Sequence, residues 1–575
     1  MYMSSIAILL VSIVVLIIGY LTYGSWLAKK WGVDPNRKTP AHEINDNLDY
    51  VPTRAPVLLG HHFSSIAGAG PITGPIVAAM FGWVPVLLWI LLGGIFFGAV
   101  HDFGALLASV RHKGQSIGVV IQANIGKRAK RLFIVFAYLT LLLVVAAFAS
   151  IVAGTFDGFK PDGTHNVYNG TTAMISMEFI VLAFLFGFAV YRRNAPLSVA
   201  TIVGVIGIVI IIVIGIKVPI FISGNAWLII IGIYIIAASL LPVWLLLQPR
   251  DYLSSFLLYG MMALAIIGIF ATNPAMNLAA SYGWKGINGN SYMFPILFIT
   301  VACGAISGFH SLVSSGTSAK QIGNERDAKV IGYGAMLIEC ALAVISLIAV
   351  GYLSKDGKLA AGTPIQIFAS GLATMIDTLF GSKGPSGQAY GIAYSLMVLA
   401  ISAFALTSLD TATRLARYMF AEFFMEEGQI YKDLKGYKKI IAHPVFGTLI
   451  TVFIGVYLAI GGYMKIWPLF GAANQLLAGL ALLAVAAWLG NIGKSNKMFI
   501  IPMVFMLAAT ITSLCITFYQ RFTLLISGKV DSTNVLQSVF AALLVVLSVA
   551  LVIEGIITFI KQSKGQKTGI AFAGK

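Results

Sequence analysis

The sequence predicts an all-α integral membrane protein, a polytopic bundle of about fifteen transmembrane helices. Three observations point there. Of 575 residues 58% are hydrophobic and only 10% charged, with a mean hydropathy of +0.90, so the average residue prefers an apolar phase to water. Apolar runs of about 20 residues, enough to cross about 30 Å of hydrocarbon as a helix, recur from the first residues to the last. The basic residues fall mainly in the loops on one side of such a bundle, which is a topology signal.

The runs lie near 5–24, 57–80, 84–110, 132–154, 173–190, 197–221, 227–247, 252–272, 292–313, 330–352, 389–410, 444–463, 467–489, 498–519 and 535–560. The first lacks the basic start and small-residue cleavage site of a secretory signal and is read as a retained span. Placing Lys29, Lys30, Arg37, Lys38 and Arg54 in the cytoplasm fixes every later loop. Arg111, Lys113 and Lys127 to Arg131 then fall inside, followed by Arg192, Arg193, Lys320, Arg326, Lys329, Arg414, Arg417, Lys432 to Lys439, Lys494, Lys497 and the tail lysines. The opposite loops, around Asp157 to Thr171 and Asn273 to Asn290, are poor in basic residues. The expected orientation has the N-terminus outside and the C-terminus inside. The net charge of +17 is accounted for by these loops, and no nucleic-acid partner is expected. The cysteines Cys303, Cys340 and Cys515 lie in apolar runs without metal-ligand spacing, so no disulfide framework is expected.

Two five-helix units of opposite orientation are expected, over 55–225 and 226–420, flanked by an extra helix and loop at 1–54 and accessory helices at 421–575. The loop 353–388 carries the apolar piece Pro364 to Phe380, too short to span and read as re-entrant or interfacial. Each unit opens on an interrupted helix, one broken at AGAGP and the other at PVWLLLQPRDYL. Paired broken helices in inverted units are the arrangement of a secondary transporter.

The first interruption is the more informative. In GHHFSSIAGAGP, Gly68, Gly70 and Pro71, with Gly74 and Pro75 just beyond, weaken a helix over two turns and remove amide donors. Freed backbone groups cannot face lipid, so the break lines a wet cavity or is satisfied by neighbouring helices. His61, His62, Ser64 and Ser65 precede it, and with Gly68 and Gly70 they are the candidate substrate site, joined by Arg250 as a carboxylate partner. Consecutive residues are about 100° apart on a helix, so His61 and His62 address different points.

Titratable residues within spans are costly unless paired, hydrated or functional. His310 lies in GFHSLVSSGTSAKQI among Ser314 and Ser315, whose hydroxyls either complete an ion site or bond back to their own carbonyls. Asp410, followed by Thr411, is the clearest buried-carboxylate candidate, with a salt bridge to Arg414 as its rival reading. Arg250-Asp251 has a cytoplasmic loop pair as its alternative, and His101-Asp102 an interfacial pair with a basic loop. Glu178, Lys217, Glu339 and Glu554 are assigned no role. His61, His62, His101 and Asp102 are ligand types for zinc or iron, but no HxxxH or CxxC spacing fixes them around a metal.

The blocks APVLLGHHFSSIAGAGPITGP, GAVHDFGA, PVWLLLQPRDYLSSF, GAISGFHSLVSSGTSAKQI, SLDTATRLARY and PLFGAANQLLAGLAL together resemble the carbon starvation protein A family of bacterial inner-membrane transporters, from about residue 25 to 490. That family is similar to the amino acid, polyamine and organocation superfamily. The resemblance implies a leucine-transporter-like, five-plus-five inverted repeat and symport of pyruvate or short peptides driven by protons, or by sodium. It implies no cofactor beyond the coupling ion. In relatives of the superfamily sodium sits between the first broken helix and hydroxyls of the eighth core helix, counted here as the one bearing His310, Ser314 and Ser315. With protons, a histidine or Asp410 titrates instead. A metal-dependent intramembrane enzyme and a non-transporting receptor are the alternatives. The first lacks any HExxH or GxSxG arrangement, and the second lacks loops long enough for an output domain.

Overall fold

The computed structural model describes residues 4–47, 49–355, 357–381, 387–425, 434–528 and 531–566. Lys432 of the expected cytoplasmic cluster, and the tail lysines Lys567 and Lys575, lie outside them. Among the described residues regular structure is helical, and β-pairing is confined to isolated bridges. Short connecting helices aside, the order is α1 (Ser5–Trp31), α2 (Ala55–Ile66), α3 (Gly70–Phe81), α4 (Trp83–Arg111), α5 (Lys127–Phe156), α6 (Val167–Arg192), α7 (Leu197–Lys217), α8 (Gly224–Leu240) and α9 (Leu247–Thr272). There follow α10 (Met293–Thr300), α11 (Gly308–Val313, prolonged by a wide turn Ser314–Ser318), α12 (Glu325–Leu353), α13 (Pro364–Leu379), α14 (Ala389–Phe423), α15 (Pro444–Ala459), α16 (Tyr463–Asn491), α17 (Lys497–Ile526) and α18 (Asn534–Ser563).

Eleven of these helices are long and apolar enough to cross a membrane, and the pair α2–α3, bent by 43°, makes a twelfth candidate. Two shorter apolar helices, α8 and α15, accompany them. α16 is wholly enclosed along its apolar window, whereas α7 is only 22% buried there, so α16 is central and α7 peripheral. α13 buries one face against α9, α12 and α14.

The first interruption falls where the glycines predict. α2 stops at Ala67 (φ −75°, ψ 52°), the Gly68 N–H turns back to Ile66 O at 2.8 Å, and α3 restarts with Pro71 in its first turn, where a missing N–H costs nothing. The second interruption lies elsewhere than expected. PVWLLLQPRDYL begins in a turn, Leu241 to Leu246, and ends as the first residues of α9, so two separate helices meet there: α8 packs on α14 and α15, and α9 on α2. The helix that breaks opposite the first is 293–321. It parts between Thr300 and Gly308, and a β-carbon at Gly74 would meet Thr300 O and Val301 Cα while one at Gly70 would meet Cys303. His62, earlier in α2, meets Ser318. Rising numbers in one chain segment meet falling numbers in the other, so the two broken helices run antiparallel with their breaks side by side.

The basic loops converge at one end of the bundle. Arg111 donates to Glu325 Oε1 (2.5 Å) and to Gly32 O (2.8 Å), Tyr50 OH donates to Lys113 O (3.1 Å), and the Lys320 Nζ lies 4.4 Å from the Tyr418 ring centre.

Candidate functional site

Two buried polar clusters flank the first broken helix, and His61 and His62 point to different ones. His61 Nδ1–H donates to Asp251 Oδ2 (2.7 Å), because an ionised carboxylate only accepts. Ser64 Oγ donates to Asp251 O (3.0 Å), and Ser65 Oγ lies 3.5 Å from the same Asp251 carboxylate. Asp251 is the fifth residue of α9, beside Arg250. The Arg250 guanidinium donates to Asp251 Oδ1 (3.0 Å), to Tyr234 OH (2.6 Å) and to Asp410 Oδ2, which also accepts from Tyr234 OH (2.8 Å). His61, Arg250, Asp251 and Asp410 are all at most 2% exposed. Arg250-Asp251 is therefore a buried pair and not a loop pair. Asp410 is bound by Arg250, while Arg414 is turned to Ala238 O and Leu241 O.

The α14 helix also reaches the break itself. Ser408 Oγ donates to Ser65 O (3.0 Å), Thr411 Oγ1 lies 3.4 Å from Ser65 Oγ, and a β-carbon at Gly68 would press on Ser408 and Phe148. Beside Arg250 lies a cavity of about 10 Å³, lined by Ser176, Ser254 and Leu406 among others. Among the described residues the Ser176 and Ser254 hydroxyls and Arg250 Nε have no hydrogen-bond partner.

The second cluster lies on the His62 side. His62 Nδ1 is 2.8 Å from Ser318 Oγ. Asp102 accepts from His101 Nδ1–H (2.7 Å) and from His310 Nδ1–H (2.8 Å), so the pair His101-Asp102 binds inward to α11 and not to a basic loop. His310 Nε2 faces Glu339 Oε2 at 3.5 Å. Ser315 bonds back to Ser311 O (2.7 Å) and accepts from the Ile117 N–H (3.2 Å), and Ser314 is buried with its hydroxyl unpartnered among the described residues. The four residues with metal-ligand chemistry, His61, His62, His101 and Asp102, are thus held by three different sets of partners.

Several site residues carry no local sequence signal. Tyr234 sits in an apolar run and is fixed by Asp410 and Arg250. Asn474 on α16 satisfies the second break: its Oδ1 accepts from the Phe309 N–H (2.8 Å) and its Nδ2 donates to Ser307 Oγ (3.0 Å). A polar residue in the apolar GAANQLL run is the one hint of this.

Known proteins agree with the architecture. A crystal structure of a manganese transporter from Eremococcus coleocola, in complex with an aromatic bis-isothiourea substituted compound, superposes over 90% of this chain and 99% of its own, with a TM-score of 0.50 at 12% identity, which is a likeness of fold alone. The peptide transporter CstA of Bacillus subtilis (strain 168) is 31% identical over 592 residues, covering 96% of this chain and 97% of that relative. The peptide transporter CstA of Campylobacter jejuni is 33% identical over 574 residues (88% and 79%), and the pyruvate/proton symporter BtsT of Escherichia coli (strain K12) is 31% identical over 598 residues (88% and 81%). Residues 4–361 and 356–513 match the family described as carbon starvation protein CstA, and with these relatives they show that the chain belongs to that family.

Proposed function

We propose that this protein is a secondary transporter and not an enzyme, taking up pyruvate or short peptides by proton-coupled symport with alternating access. The observation that carries the reading is the Arg250 cluster. One guanidinium stands against two carboxylates, Asp251 and Asp410, all buried. A net buried negative charge is costly, and one proton, on His61 or on Asp410, neutralises it. A substrate carboxylate arriving beside Arg250 adds a charge that a second cation must offset, so anion and cation load together. The cavity there is sized for about one water, and a substrate enters only when the helices part. Sequence similarity to a named pyruvate/proton symporter and to named peptide transporters supports the substrate class.

A sodium-coupled version has its own support. Ser65 O, Ser408 Oγ and Thr411 Oγ1 gather at the first break, with Thr407 Oγ1 unpartnered nearby in sequence. In this version the side-chain oxygens come from α14 and not from Ser314 and Ser315.

The repeat is drawn differently from the boundaries that hydropathy suggested. The first unit comprises α2–α3, α4, α5, α8 and α9, with the peripheral hairpin α6–α7 inserted. The second comprises α10–α11, α12, α14, α15 and α16, with α13 inserted. Its support is that α5 packs on α14 and α8 on α15, third on third and fourth on fourth. Counting the interrupted α10–α11, α8 and α15 as spans reaches the fifteen that hydropathy gives. The basic end, with the C-terminus, is placed in the cytoplasm and the N-terminus outside, in a bacterial inner membrane.

Proteoliposome uptake of labelled pyruvate and a dipeptide, each under a separately imposed proton or sodium gradient, tests this. Accumulation of pyruvate or the dipeptide with acid outside, and none with sodium alone, is expected. Accumulation of neither under any gradient rejects the transport reading.

A further inference from the structure

Among the described residues Glu339 has no lysine or arginine paired with it and no hydrogen-bond donor on either oxygen, yet it is fully buried on α12. Among the described residues its recorded ion-pair contact is His310 Nε2, itself without a hydrogen-bond partner. Beside them is the Cys303 thiol, at the second break. A buried carboxylate 3.5 Å from an imidazole nitrogen is left without solvation unless a proton or a metal cation lies between them.

We propose that Cys303, His310 and Glu339 bind one divalent d-block cation of the zinc or iron class. One donor atom from each lies within 4.8 Å of the others, and all three residues are buried. The His310 Nε2 to Glu339 Oε2 separation of 3.5 Å is too long for a good charge-assisted hydrogen bond, but it is close to the spacing of about 3.4 Å that two donors take at bonds of about 2.1 Å around a tetrahedral ion. The orientation of the imidazole fits the same ion. Asp102 Oδ2 holds His310 Nδ1–H at 2.8 Å, so Nε2 is the nitrogen turned to Glu339, while the other Asp102 oxygen is occupied by His101. Metal-ligating histidines are fixed in this way by an outer carboxylate. A thiolate, an imidazole and a carboxylate together suit a borderline-soft ion and not magnesium or calcium, which take oxygen.

The consequence is mechanical. Cys303 lies in the second break, His310 begins the inner half-helix, and Glu339 belongs to α12. An ion at their meeting point pins the break to α12, and three protein donors leave a four-coordinate ion one open position. The site stands apart from the transport reading, because binding is measured without transport.

The test uses the purified full-length protein in detergent, stripped with a chelator and titrated with cobalt(II) alone. Saturable binding with a thiolate-to-cobalt absorption band is expected in the wild type. The band persists in C340S and C515S and is lost in C303S, and E339Q weakens binding by at least about tenfold. Elemental analysis of unstripped protein is expected to find zinc or iron near stoichiometry. Absence of a saturable thiolate band in the wild type overturns the site, as does a band that survives C303S. Should C303S fail to fold, the wild-type band and the E339Q affinity still decide. A proton shared by His310 and Glu339, with no metal bound, is the rival outcome, and it refutes the proposal.

Discussion

His61 and Asp251, 190 positions apart, are joined by a 2.7 Å hydrogen bond that ties the half-helix before the first break to the N-terminal part of α9. The bond has two separable parts, a geometric one and an ionisable one. His61→Gln keeps a donor of similar reach but cannot titrate. It is expected to bind and exchange substrate in counterflow while its proton-driven accumulation falls at least about tenfold, the loss a missing acid–base group produces. His61→Ala is expected to lose both activities. Full gradient-driven accumulation by the Gln variant would remove His61 from the coupling step.

Arg250 holds two carboxylates at once, so its removal is felt as uncompensated charge. Arg250→Ala is expected to cost about 3–5 kcal/mol, the range seen when one partner of a buried ion pair is deleted. The double variant Arg250→Ala with Asp410→Asn leaves one buried carboxylate fewer and is expected to recover part of that stability. Thermal unfolding in detergent measures both. Equal midpoints for the single and double variants contradict the contact between Arg250 and Asp410.

The first break and the second differ in how far sequence exposes them. Gly68, Gly70 and Pro71 act on their own helix, so backbone propensity alone marks the place. The stretch from Val301 to Ser307 has Gly304 but no proline, and what holds it open is Asn474, 165 positions beyond the Phe309 amide it binds. Long-range satisfaction of a freed amide leaves no local trace. PVWLLLQPRDYL misleads for the converse reason, since two prolines signal a helix end equally well at a turn between helices and at a break within one. The clustering of Arg250, Asp251, Asp410 and His61 likewise combines three helices, while sequence shows each pair only beside its nearest neighbours, such as Asp410 beside Arg414.

At the basic end, Asp49 gives a pH prediction. Its partial burial raises the carboxyl pKa, but Lys320, Arg414, the Tyr418 hydroxyl and Arg417 together outweigh that and hold it below the ordinary value. A depressed carboxyl stabilises the fold fully above its unfolded pKa of about 3.9 and loses that contribution as pH falls through the lower folded value. Wild-type protein is therefore expected to lose stability below about pH 4 more steeply than Asp49→Asn. At neutral pH the Asn variant is expected to be the less stable of the two. Thermal midpoints from pH 7 to pH 3 check this, and parallel acid limbs for the two proteins would contradict the ion-pair role of Asp49.

Gly74 tests the closeness of the two broken helices. A β-carbon there stands 2.7 Å from Thr300 O and 3.2 Å from Val301 Cα, both backbone atoms of the opposite segment. No rotamer change relieves such a clash, so Gly74→Ala must push the helices apart, at about 1–3 kcal/mol for overpacking. Gly154→Ala is the matched control, because its β-carbon meets nothing within 4 Å and alanine is the better helix former by about 1 kcal/mol. The expected pattern is a lowered unfolding midpoint and slowed uptake for Gly74→Ala, with the control at or slightly above wild type. If both variants match wild type in midpoint and uptake, the broken helices do not pack backbone to backbone at this level, and the pairing of their breaks loses its basis.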